Sequence, residues 1–251
     1  MICFHISHNE YKKLDMKPFS VFIPVYNEED ILVSNTKRLI DYLEGFGIDY
    51  EIIIGSNGSN DRTCALGKVL QERYRQVAFL YLKEKGVGEA FRRGIQMARY
   101  NVIVSLDMDL SINLGFIEEA LKFIEAHHDI VIGSKKMGHE RRSVFRRLGS
   151  DLFILTARIL LGLPFEDYSI GAKAYTKSVV LEYGYRIDRG TSYVLNIICL
   201  AFQNNKKIIE IPVRCEDYRQ SKFNIIFEGL YRFYNLFKLC YVEGMPFKRH
   251  K

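Results

Sequence analysis

Two acids stand one residue apart in the stretch NVIVSLDMDLS, Asn101 to Ser111. Asp107 and Asp109 follow the apolar run Val102 to Leu106, which reads as a buried strand. Two carboxylates about 6 Å apart repel by about 3 kcal/mol at an effective dielectric of ~20. A chain keeps such a pair to share a proton, to hold a cation, or because both acids face solvent harmlessly. The apolar strand directly before them weighs against the last. Hard oxygen ligands that leave coordination positions open suit Mg²⁺ or Mn²⁺, which then bridge to phosphate oxygens. Asp107 and Asp109 are therefore the candidate metal ligands of a metal–diphosphate site.

A D-x-D pair also serves haloacid-dehalogenase-like phosphatases, in which the first Asp is a nucleophile. Those enzymes carry it at the first strand and need a further acidic pair after a later one. Here the pair ends the fourth apparent strand, and no GDxxxD-like segment follows.

The elements that must position this pair alternate. FSVFIPVYN reads as a strand, followed by a helix from about Glu29 to Glu44. YEIIIGSN is a second strand, with a helix starting near Asp61; VAFLYLKE is a third, with a helix from about Val87. NVIVSLDMD is the fourth, with a helix after Leu114, and DIVIGSK is the fifth. Short apolar strands alternating with helices predict an α/β fold, a mostly parallel sheet covered on both faces. In such sheets ligands sit beyond the carboxyl ends of the strands. Polar residues collect at those ends here: YNEED, GSNGSND, KEKGVGEA, DMDLS and GSKK. The second half predicts a long helix through VFRRLGSDLFILTARILLG, a strand GAKAYT, another helix, the strand KIIEIPVRC and an amphipathic C-terminal helix.

The 251 residues fit one large domain, and 48% apolar content supports a sizeable core. Five scattered cysteines without C-x-x-C spacing read as reduced thiols, with neither a disulfide framework nor a zinc site. No signal peptide is read in the first eighteen residues, which look like a loose arm. No uncharged run reaches the ~18 residues of a membrane span; the most apolar stretch is interrupted by Arg158. A net charge of +6 suits anionic ligands or a membrane surface.

The order and spacing of these motifs resemble glycosyltransferase family 2, with its GT-A fold, a Rossmann-like sheet. Within it they look most like the dolichyl-phosphate mannosyltransferase and polyprenyl-phosphate glycosyltransferase branch. The resemblance runs from about Phe19 to Lys222. It divides the chain into an arm (1–18), a GT-A domain (19–222) and a C-terminal helix and tail (223–251). It implies that Pro24, Tyr26 and Glu28 of IPVYNEED line the nucleotide pocket, with Ser56, Asn57, Lys85, Gly86 and Asp107. EKGVGEAFRRGIQMA matches a Gly-rich segment beside the donor diphosphate, where a helix N-terminus and glycines let backbone N–H groups approach an anion. DMDLS matches the metal-holding segment, so Asp109 also counts as catalytic. IGSKK, FRRLGSDLF and EIPVRCEDYRQSK match the basic segments. Lys135, Arg146 and Arg147 become candidates for gripping transferring phosphates, and Arg219, Ser221 and Lys222 for the acceptor phosphate.

The implied chemistry is inverting sugar transfer from a nucleotide-sugar of GDP-mannose or UDP-glucose type to a polyprenyl or dolichyl phosphate, with Mg²⁺ or Mn²⁺. A phosphate acceptor is already anionic and needs positioning and charge neutralisation rather than a strong base. No nucleic-acid partner is expected. The expected place is the cytoplasmic membrane face, peripherally bound. One alternative is a saccharide or protein hydroxyl acceptor, which would need a carboxylate such as Asp167 or Asp188. Another is a non-catalytic nucleotide-binding domain. Ser56 and Asn57 stand where the family usually has acids, and Asn196 where relatives often carry Glu. The last helix spaces Phe227, Leu230, Tyr231, Tyr234 and Phe237 on one face, which suits either the membrane interface or the domain core.

Overall fold

The computed structural model describes residues 16–135, 137, 144–168, 170–215 and 225–242. Four parallel strands come first: β1 (Phe19–Val25), β2 (Tyr50–Asn57), β3 (Val77–Leu82) and β4 (Val102–Ser105). Each leads into a helix: α1 (Leu32–Glu44), α2 (Thr63–Arg73), α3 (Val87–Met97) and α4 (Gly115–Glu125). Then come β5 (Ile130–Ser134), α5 (Val144–Leu161), β6 (Lys173–Thr176), α6 (Lys177–Tyr183), α7 (Tyr193–Gln203), β7 (Ile208–Pro212) and α8 (Ile225–Val242). The sheet order is β3-β2-β1-β4-β6-β5-β7. Only β6 runs against its neighbours β4 and β5, so the sheet is mostly parallel, as the alternating elements predict.

Alternation along β1 shows why these strands read as continuous apolar runs. Phe19, Val21 and Ile23 join one core with Leu32, Leu39 and Phe116 of α1 and α4. Phe22 points the other way, onto Phe91 and Ile95 of α3. Both faces are covered, so neither can be polar. The first helix starts at Leu32 rather than Glu29. Asn27 takes a left-handed conformation (φ 54°), and the chain turns through Glu28, whose carbonyl accepts the Ile31 and Leu32 N–H groups, before the helix begins. Asp61 likewise precedes α2 and accepts the Thr63 N–H at 2.9 Å.

On α8, Leu236 and Leu239 are buried in the domain, while Phe233 stacks edge-on against Phe153 of α5 at 5.4 Å. Tyr231 also faces the domain, but Leu230, Tyr234 and Phe237 are exposed, and Tyr241 is 89% exposed. Of the spaced stripe, Tyr231 turns to the domain and Leu230, Tyr234 and Phe237 to the surface, while the side chain of Phe227 lies outside the described residues. Beside it α5 exposes Leu152, Leu155 and Ile159. No helix among the described residues is long and apolar enough to cross a membrane.

Candidate functional site

The carboxyl ends of β1, β2 and β3 are tied into one floor. Asn27 donates its side-chain amide to Asn60 Oδ1 at 2.7 Å, and the Asn60 N–H donates back to Asn27 Oδ1 at 2.9 Å. The Lys85 ammonium lies 3.9 Å above the Tyr26 ring, joining the β3 end to the β1 end. Gly58 (φ +79°) backs onto the same loop; a Cβ there would meet Lys85 N at 2.7 Å. Pro24, Tyr26 and Glu28 are half-buried around this floor.

Ser56 does not face the cleft. It is fully buried, with its Oγ 3.0 Å from Ser59 Oγ. Asn57 is buried too and donates to the Val25 carbonyl at 2.9 Å, clasping β2 to β1. With these side chains the end of β2 is uncharged and bonded inward.

At α3 the structure corrects the reading of the glycines. The Gly88 N–H donates to the Arg189 carbonyl at 3.2 Å, and a Cβ on Gly88 would lie 1.9 Å from the Asp188 carbonyl oxygen. The group that approaches Gly88 is the backbone of the loop before α7, not an open anion site. Gly86 precedes α3 with extended backbone and is buried. In the first turn, Glu89 takes Arg92 through two hydrogen bonds of 2.8 and 2.7 Å and Arg93 at 2.6 Å. These bonds, chiefly that from Arg92, hold the Glu89 carboxyl down to about 2. A depressed carboxylate stabilises the fold above its unfolded value of about 4.5, and that contribution disappears as pH falls towards 2. Comparing Glu89→Gln with the parent by denaturant unfolding should therefore give a deficit at pH 6 that closes at pH 2.

The acidic pair lies just past β4. The Leu106 N–H donates to the Phe22 carbonyl at 3.1 Å and so extends the pairing with β1 up to Asp107. The turn closes with the Leu110 N–H on the Asp107 carbonyl at 3.1 Å. Leu110 has φ +48°, a conformation that costs a non-glycine residue roughly 1 kcal/mol and that the surroundings must hold. Asp109 Oδ1 accepts the Ser111 N–H at 3.1 Å. Asp107 Oδ2 accepts the Gly171 N–H at 3.1 Å from the loop before β6. A Cβ on Gly171 would stand 2.4 Å from Asp107 Oδ1, so any side chain there must displace the carboxylate or the loop. Desolvation, then the neighbouring Asp109 charge, push the Asp107 carboxyl above the usual carboxylate range, although the residue keeps an open face to solvent. The Gly171 N–H and the Lys135 and Lys173 charges oppose that rise.

Lys135 is also corrected. It does not stand open to a phosphate: it is 4% exposed, and its Nζ lies 3.8 Å from Asp167 Oδ2. Asp167 is equally buried, with Oδ1 accepting the Ile170 N–H and Oδ2 the Lys135 N–H. Beneath the acidic pair lies Lys173, 1% exposed and missed by sequence reasoning, which read GAKAYT only as a strand. Arg146 and Arg147 fall in the first turn of α5, but their side chains lie outside the described residues. Arg219, Ser221 and Lys222 lie outside them altogether.

A second missed contact joins α8 to this region. The Tyr231 hydroxyl donates to Asp188 Oδ2 at 2.6 Å, and the Gly190 N–H donates to the same oxygen at 3.0 Å. Tyr231→Phe should lower unfolding stability by about 1.5 kcal/mol, the usual worth of a hydrogen bond to a charged group, as read by urea denaturation.

The donor set fits a hard divalent cation. Among the described residues no group of three His, Cys, Asp or Glu could enclose a metal. Two carboxylates that leave most coordination positions to phosphate oxygens and water are the ordinary arrangement for Mg²⁺. Lys135 and Lys173 lie close enough to Asp107 to offset part of the repulsion from Asp109.

Comparison with known proteins agrees with this geometry. The chain is 30% identical over 211 residues to the undecaprenyl-phosphate 4-deoxy-4-formamido-L-arabinose transferase of Edwardsiella ictaluri (strain 93-146), covering 82% of this chain and 63% of the relative. It is 31% identical over 229 residues to the dolichol-phosphate mannosyltransferase of Pyrococcus furiosus, covering 87% of this chain and 63% of the relative. The chain thus spans less than two thirds of the length of these relatives. Among solved structures, glucosyl-3-phosphoglycerate synthase from Mycobacterium tuberculosis, in complex with Mn²⁺, uridine-diphosphate and phosphoglyceric acid, superposes with a TM-score of 0.68 at 15% identity, covering 92% of this chain and 80% of that one. That likeness shows the shared GT-A fold. The profile of Glycosyl transferase family 2 matches residues 20–184, and the chain belongs to that family.

Proposed function

We propose that the protein is an inverting, metal-dependent glycosyltransferase that moves a sugar from a nucleotide-sugar to a polyprenyl or dolichyl phosphate at a membrane surface. The acidic pair at the end of β4, held from below by a charged bed, carries this reading. Asp107 and Asp109 would hold Mg²⁺ or Mn²⁺, which when bound neutralises charge on the departing nucleoside diphosphate. Tyr26 and Lys85 border the donor cleft. Arg146, Arg147, Arg219, Ser221 and Lys222 are the proposed acceptor-phosphate ligands, because guanidinium forks bind phosphate oxygens in pairs. The names of the two relatives support a lipid-phosphate acceptor. The exposed stripes of α5 and α8 support a cytoplasmic protein lying peripherally on the membrane, its apolar face towards lipid.

The commitments of the local acids also support a phosphate acceptor. A hydroxyl acceptor would need a general base, and Asp167 has both oxygens engaged. Asp188 is different, since among the described residues its buried Oδ1 has no hydrogen-bond partner, and this favours a second reading in which it serves as that base. Asp188→Asn separates the two. Transfer within tenfold of the parent supports the phosphate acceptor; a loss of roughly 10³-fold supports the hydroxyl.

A thermal-shift panel of UDP-glucose and GDP-mannose, each with Mn²⁺ or with EDTA, tests the donor half. A donor at 100 times its Kd adds about 2.7 kcal/mol to stability. One metal-dependent hit, followed by transfer of its labelled sugar to undecaprenyl phosphate, is the expected result. Silence from both donors shifts the balance towards a non-catalytic domain. Co-sedimentation with anionic vesicles tests the membrane half: Tyr234→Glu with Phe237→Glu should reduce the bound fraction at least tenfold, since buried charge opposes insertion.

A further inference from the structure

Lys173 is a fully buried lysine for which the proposed reaction has no direct use. It opens β6, where it lies opposite Ser105 of β4 and Ile132 of β5, so its backbone is locked in the middle of the sheet. Its Nζ faces Asp167, Lys135, Asp107 and Glu210, and desolvation pushes it down to about 8. It donates to the carbonyl oxygen of Ile170. The other end of that same peptide group is the N–H of Gly171, which donates to Asp107 Oδ2. One planar amide therefore has an ammonium on its oxygen and a carboxylate on its hydrogen. Asp167 Oδ1 fixes the preceding N–H, that of Ile170, at 3.1 Å, which anchors one side of this peptide and leaves its own orientation to Lys173 and Asp107.

An amide is polarised as a unit, because its C–N bond has partial double-bond character. A cation on the oxygen draws electron density from nitrogen and makes the N–H a better donor, the cooperative strengthening seen in hydrogen-bond chains. Loss of the cation would both weaken that donor and free the peptide to rotate. We infer that Lys173 is a positioning residue for the acidic pair: it acts on Asp107 through the Ile170–Gly171 peptide and so sets which carboxylate oxygen is left for a divalent cation. This rests on the assignment of Asp107 as a metal ligand. Glycine at 171 serves the same relay, since any side chain there would displace the Asp107 carboxylate from the N–H.

The full chain is titrated with Mn²⁺ followed by electron paramagnetic resonance, with UDP or GDP present. Groups that orient a ligand from behind typically change metal affinity by roughly 10- to 100-fold. Lys173→Met should weaken Mn²⁺ at least tenfold, Lys173→Gln less, and Lys173→Arg should restore binding to within threefold. Nucleotide affinity in EDTA should stay within twofold for every variant, which a general loss of structure would not allow. The second readout is the Gly171 amide in ¹⁵N-glycine-labelled, metal-free protein. It should resonate downfield and exchange slowly in the parent, and move upfield in Lys173→Gln. A Lys173→Met or Lys173→Gln protein that keeps parental Mn²⁺ affinity overturns the relay. So does a parental Gly171 amide that exchanges like an exposed one, which needs no variant to fold. If the parent itself binds no Mn²⁺, the metal reading fails, and the Gly171 amide still decides whether Lys173 acts on Asp107.

Discussion

Asp109→Ala is expected to fold normally and to lose sugar transfer by roughly 10³-fold, with Mn²⁺-dependent donor binding lost in parallel. A metal on a departing diphosphate supplies several kcal/mol, and each 1.36 kcal/mol is tenfold in rate. The structure adds a less obvious half to this result. Desolvation first, and then like-charge repulsion from Asp109, raise the Asp107 carboxyl, so without a cation the pair repels. Removing Asp109 relieves that repulsion at the cost of its bond to the Ser111 N–H, so the metal-free protein should be no less stable than the parent, an activity–stability trade-off. Unfolding in urea with EDTA, beside transfer kinetics with Mn²⁺, measures both. A variant that is less stable without metal, or that retains transfer, would mean that Asp109 has another task.

Gly171→Ala is the second large effect, at a residue that touches neither donor nor acceptor in the proposed reaction. The added methyl would lie 2.4 to 2.6 Å from three atoms of the Asp107 carboxylate. Either that carboxylate swings away from its N–H donor or the loop before β6 moves. The overpacking should cost about 1–3 kcal/mol of stability. Metal-dependent transfer should fall at least a hundredfold, because both alternatives displace a ligand. Asp107→Asn combined with Gly171→Ala should be scarcely worse than either alone, since both act on one contact. Full additivity of the two in log kcat/KM would argue that Gly171 acts elsewhere.

The fold was legible because period and burial agree. Phe19, Val21 and Ile23 alternate with Phe22, yet all are buried, so the strand reads as one apolar run flanked by helices. The acidic pair was legible for the same reason: charge directly after such a run needs a partner. What surrounds it was not. Lys135 looked like a free phosphate ligand, since a lysine after a strand is usually exposed; its burial depends on Asp167, 32 residues later. Ser56 looked like part of the nucleotide pocket, and its inward turn depends on Ser59 and Cys64 from the following turn and helix. Gly88 read as an anion-binding glycine, yet the group it admits comes from the Asp188 backbone, 100 positions along the chain. No local pattern reports which distant segment will fill a space.

The antiparallel β6 has a consequence for the order of events during synthesis. Asp107 and Asp109 leave the ribosome early, on the last of four consecutive parallel strands. The clamp on Asp107, Gly171, arrives 64 residues later, in the loop that leads into a strand that must insert between β4 and β5. Such a non-local pairing forms late, because its loop-closure entropy precedes any reward. A nascent chain that stops short of β6 carries both acids without the amide that orients them. Under the proposed metal assignment, tight Mn²⁺ binding should therefore appear only once that insertion is complete, and would report finished folding.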